Sequence, residues 1–82
     1  MKVREVFTQA AAKLFDVTPE RVEEHFRSTG LSVLPEFEVE MPAEQQAQIE
    51  NMDIEHFRLV LTTVLDAVGV SMNKIEKAIK KG

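Results

Sequence analysis

The 82-residue chain has no cysteine, tryptophan or tyrosine, and only three glycines and three prolines. Without cysteine there is no disulfide scaffold and no thiolate metal site, so stability beyond the core must come from helix packing or oligomerisation. A reducing, cytoplasmic setting suits such a chain. No apolar run reaches the roughly 18 residues that a membrane span needs. The start, MKVREVFTQAAAKLF, carries charges at positions 2, 4 and 5, so it reads as a structural helix rather than a signal peptide. Eighty-two residues make one domain, 1–82. A chain of this length buries roughly 60 to 65% of the surface its unfolded form exposes, which leaves a narrow stability margin.

Chemistry is missing too. There is no glycine-rich loop and no serine placed after a strand, and the carboxylates lie on alternating or solvated faces without a partner that would shift a pKa. No enzyme and no cofactor are expected. Di-metal helical bundles need Glu-x-x-His pairs on two helices. His25 has Val22 three residues before it and His56 has Asp53, so no metal site is expected. Glu-His-Phe-Arg occurs at both 24–27 and 55–58, but the copies fall at different stages of their helices and their flanks do not match, which argues against a repeat.

What is present is charge, unevenly placed. Residues 1–27 hold five basic and five acidic side chains, residues 36–55 hold seven acidic and none basic, and residues 58–82 hold five basic and two acidic. The net charge of −4 therefore hides an acidic middle and a basic end. General attraction of the whole molecule to a phosphate backbone is not expected, although a local basic face can still meet one.

Helical periodicity dominates. Val3, Val6, Phe7, Ala10, Ala11 and Leu14 form one apolar stripe, predicting a helix over 3–15. Thr18-Pro19-Glu20 restarts the helix with a hydroxyl cap, a proline in the first position and an early carboxylate; Val22 and Phe26 point inward and Gly30 ends it. AEQQAQIE, after Pro42, predicts a short exposed helix. Asp53 should cap a helix over 54–68 whose apolar residues, Ile54, Phe57, Val60, Leu61, Val64, Leu65, Ala67 and Val68, cover about 160° of the wheel. So wide a face predicts a central helix, surrounded by the others or shared with another subunit, with Leu59 exposed. Gly69 ends it, and Ser71 caps a last helix with Met72, Ile75, Ala78 and Ile79 inward and lysines outward.

One segment breaks the pattern. In EFEVEM, Phe37, Val39 and Met41 alternate with Glu36, Glu38 and Glu40, predicting an extended acidic arm over about 33–41. The expected fold is all-α: a bundle of four or five short helices crossed by this arm.

A marginal chain with so broad an apolar helix is expected to be a non-catalytic interaction or regulatory module, self-associating as a homodimer or bound to a partner protein. The candidate interface combines Phe37, Val39 and Met41 of the arm with Phe57, Leu59, Val60 and Val64. A third reading makes Glu36, Glu38, Glu40 and Glu44 an acidic competitor for a basic site.

The segment Leu61 to Ile79 resembles the helix-turn-helix of small DNA-binding proteins: Val64, Val68, Gly69, Val70, Ser71, Ile75 and Ala78 fall on that family's offsets. The resemblance implies that the last helix enters the major groove, with Ser71, Met72, Asn73 and Lys77 toward bases, Lys80 and Lys81 on phosphates, and Lys74 a further DNA contact. Leu65 stands where the family carries a small residue, and Glu76 would face DNA; the same turn also suits a plain corner between packed helices. KLFDVTPERV resembles the end of the first helix and the following loop of acyl carrier proteins. The serine after aspartate that carries their prosthetic arm is missing, which excludes covalent carriage and leaves a carrier-like domain without a prosthetic group.

Overall fold

The computed structural model describes residues 1–31 and 34–81 and folds them as five α-helices. They are α1 (Val3–Phe15), α2 (Pro19–Thr29), α3 (Ala43–Glu50), α4 (Ile54–Ala67) and α5 (Met72–Lys81), with a 3-10 turn at Pro35–Phe37.

The helix ends follow local chemistry. The Thr18 hydroxyl accepts from the Arg21 amide at 3.3 Å, and Pro19 fills the first helical position, where a missing N–H costs nothing. At the other end of α4, Gly69 takes φ +75°, its amide donates to the Asp66 carbonyl at 3.0 Å, and the Val70 amide donates to the Leu65 carbonyl at 2.9 Å. That is a Schellman closure, with the left-handed residue where glycine carries no Cβ penalty. Asp16 adopts the same backbone region, φ 57°, to end α1. Asp53 and Ser71 stand at the starts of α4 and α5, but the bonds there are backbone ones, Phe57 N–H to Asp53 carbonyl at 2.9 Å and Ile75 N–H to Ser71 carbonyl at 3.1 Å; Asp53 makes no side-chain cap.

The central helix is α1, not α4. It packs against α2, α3, α4, α5 and the 3-10 turn, whereas the main neighbours of α4 are α1 and α5. Fully buried Ala11 and nearly buried Ala12 explain this, because a surface of methyl groups lets several neighbours approach one helix closely. The face of α4 is correspondingly narrower in use than its composition suggests. Phe57, Leu61 and Leu65 are buried, Val60, Val64 and Val68 are half-buried, and Ile54 and Ala67 are exposed. Leu59 is exposed, as its place among polar neighbours predicts. On α5 the inward residues are Met72, Ile75 and Ile79; Ala78 lies on the exposed side instead.

The expected arm is only partly extended, and Val33, within its bounds, lies outside the described residues. Pro35–Phe37 coil into the 3-10 turn, which turns the Phe37 ring inward to meet Phe7 edge-on with centroids 5.6 Å apart. Phe7 also meets Phe57 at 5.7 Å, so one ring joins the turn to α4. The segment then lies beside the start of the chain. Val3 N–H donates to the Val39 carbonyl and Met41 N–H to the Met1 carbonyl, each at 2.9 Å, around an antiparallel bridge between Lys2 and Glu40. Val39 stays exposed and Met41 half-buried, so the alternation of the sequence does not become a single covered apolar side.

Candidate functional site

Two surfaces carry features that the core does not need. The first is the outer side of α5. Asn73, Lys74, Lys77, Ala78, Lys80 and Lys81 are exposed there, while Met72 is buried and faces the core rather than any ligand. Ser71 is exposed at the corner. Glu76 lies on the same helix but is drawn back to α4. Arg58 donates to its two oxygens at 2.9 and 3.1 Å, and Lys80, one turn on, lies 3.1 Å away. The paired hydrogen bonds from Arg58 are the main reason that the Glu76 carboxyl is held down at about 2; partial burial opposes them and Lys80 adds to them. Among the described residues Lys74, Lys77 and Lys81 make no ion pair. The helix is tied from behind as well: Arg21 Nε donates to the Ile79 carbonyl at 2.6 Å, a cation placed on the carbonyl end of α5.

The second surface is a groove of about 210 Å³ between α1, α3 and α4. Val6 and Ala10 of α1 form one wall, Ile49 of α3 the other, and Met52, Ile54 and Phe57 continue the apolar lining. Gln9, Lys13 and Glu50 border it. Ile54 is 43% exposed there, an uncovered aliphatic chain at the first turn of α4. The opposite wall is thin, because α3 has no buried residue.

The sequence-predicted interface does not come together as one patch. Phe37 and Phe57 are 8% and 2% exposed and belong to the protein's own interior; Met41, Val60 and Val64 are half-buried; Val39 and Leu59 are exposed. The acidic residues are also divided. Glu38 accepts from Lys2 and Arg4, both at 3.1 Å, and Glu40 pairs with the N-terminal amine at 3.2 Å. The Lys2 hydrogen bond, chiefly, holds the exposed Glu38 carboxyl below its usual range. Glu36 and Glu44 are exposed and outside the ion pairs formed among the described residues. Arg4 also reaches Glu23 at 3.0 Å, so this part of the acidic surface stitches the chain start to α2.

His25 is half-buried and His56 exposed, on different helices. Among the described residues no group of three His, Asp or Glu side chains is placed to hold a metal ion, and no helix is long and apolar enough to cross a membrane. The groove went unread in the sequence, although a signal was there. Ile49, Met52 and Ile54 are apolar residues in an otherwise polar stretch, and their spacing fits neither one helix face nor a strand. Comparison with protein-family models, curated proteins and solved structures finds no match for this chain.

Proposed function

We propose that the protein is a non-catalytic interaction module that receives a partner protein in the groove between α1, α3 and α4. The observation that carries this reading is Ile54, an aliphatic side chain left uncovered in a concave site beside Ala10, Ile49 and Met52. A concave site in which aliphatic side chains are bordered by polar groups, here Gln9, Lys13 and Glu50, is a usual form of a recognition site. Filling the groove with Ala10→Trp is the test, with Ile54→Ser as the variant that thins its lining without adding bulk. A protein captured by cross-linking from the source cells should be retained by the wild type and by Lys77→Glu and lost with both groove variants. Equal capture by all four chains would end this reading.

A second reading, DNA binding through α4 and α5, gains support from Glu76. Its carboxylate is engaged by Arg58 and Lys80, which leaves Lys74, Lys77 and Lys81 as the outward charges of α5. If those three lysines each meet one phosphate, affinity for a labelled duplex should fall with salt at a log–log slope of about −2.7. Lys77→Glu should weaken binding and leave the melting temperature unchanged. Fluorescence anisotropy that shows no binding even at low salt would make the Gly69 corner a packing device only.

A further inference from the structure

We infer that Arg58, on α4, is a positioning residue for the lysine face of α5: by holding the Glu76 carboxylate it keeps negative charge away from a bound phosphate backbone. The inference rests on the reading of α5 as a DNA-binding surface.

The lysines form one continuous sector. At 100° per residue, Lys80, Asn73, Lys77, Lys81 and Lys74 fall within about 120° of the α5 wheel, opposite buried Met72, Ile75 and Ile79. Glu76 stands about 40° from Lys80, at the edge of that sector. It lines the same open depression as Asn73, Lys77, Lys80 and Lys81. A carboxylate placed there opposes any phosphate that approaches the lysines, because like charges brought together at an interface are costly.

Arg58 removes that opposition from the neighbouring helix. Its guanidinium donates to both Glu76 oxygens, at 2.9 and 3.1 Å, the forked pairing that suits a carboxylate best. The Glu76 side chain is 17% exposed and that of Lys80 55%, so the carboxylate is drawn toward α4 while the lysine stays in solvent. Without Arg58, the partner left to Glu76 is Lys80, 3.1 Å away, and a lysine that serves a carboxylate is lost to phosphate.

The charge of this end makes the idea measurable. Four lysines and Arg58 against Glu76 leave a net +4. Removing Arg58 lowers it to +3 and leaves a carboxylate at the edge of the lysine sector. Removing the Glu76 charge as well returns it to +4, with no carboxylate there.

Fluorescence anisotropy of a labelled duplex at low salt, with the melting temperature of every chain, is the test. Arg58→Ala should bind about three- to fivefold more weakly than the wild type. Arg58→Ala combined with Glu76→Gln should return to wild-type affinity, although the bridge between α4 and α5 is broken in both chains. Glu76→Gln alone should bind at least as tightly as the wild type. The double variant and Glu76→Gln lack the uncompensated carboxylate, so they decide the matter even where Arg58→Ala unfolds. If Arg58 acts only by tying α4 to α5, the double variant stays as weak as Arg58→Ala and Glu76→Gln binds less tightly than the wild type. That pattern, or equal binding by Arg58→Ala and the wild type, overturns the inference and leaves the DNA reading in place. A wild type that does not bind the duplex at low salt ends both.

Discussion

Leu65→Ala is expected to cost about 2 to 5 kcal/mol and lower the melting temperature by about 8 °C or more, at roughly 4 to 8 °C for each kcal/mol in a domain of this size. Leu65 is 0% exposed and lies in the shared core with Ile75 and Ile79 of α5. Its carbonyl accepts the Val70 amide at 2.9 Å in the closure of α4, so its side chain and its backbone serve the same corner. Removing the side chain loses transfer energy and leaves a cavity that the fixed corner cannot collapse to fill. For 82 residues the whole stability is about 4 to 12 kcal/mol, so this one change takes a large share of it. Leu59→Ala is the matched control. That leucine is on the same helix but 68% exposed, and its loss should stay within about 0.5 kcal/mol. Urea unfolding of both variants, with unchanged m-values, makes the comparison. A cost under about 1 kcal/mol at Leu65 would mean that α4 and α5 are loosely packed there.

Acid should weaken the α4–α5 contact through one residue. Glu76 is held at about 2 against an ordinary value of 4.5, first by the hydrogen bonds from Arg58. Because the folded state depresses this pKa, the contribution is fully present above about pH 4.5 and is lost as pH falls toward about 2. With side chains 17% and 33% exposed, solvent screening reduces the contribution to about 1 to 2 kcal/mol. Exposed Glu38 titrates in the same direction, so the clean signal is the difference between wild type and Glu76→Gln. The wild type should lose stability more steeply than the variant over that window, and Arg58→Ala should remove the same increment. Arg58→Ala should also be the more harmful change near neutral pH, since it leaves a partly buried carboxylate without its main partner. Parallel stability curves for wild type and Glu76→Gln would show that the pair is too well solvated to matter.

The two candidate surfaces divide along the same line as these two contacts. A basic end was plain from the composition, but which lysines stay outward depended on Arg58 reaching Glu76 across eighteen positions of sequence. The groove needed more. Ala10, Ile49 and Ile54 meet only because α1 runs past both α3 and the start of α4.

By itself the sequence determined where the helices begin and end. Thr18-Pro19 opens α2, Gly30 and Gly69 end α2 and α4, and the period of Val3 to Leu14 and of Phe57 to Leu65 marks α1 and α4. Caps, turns and periodicity act within a turn or two of chain, so the letters that decide them are neighbours. Only the tertiary structure decided that alanine-rich α1 is the centre, that Phe37 turns inward onto Phe7 instead of lying along an extended arm, and that Ile54 is left uncovered. Those outcomes depend on which helices reach one another and on how closely small side chains let them approach, a competition among distant segments that no local pattern records.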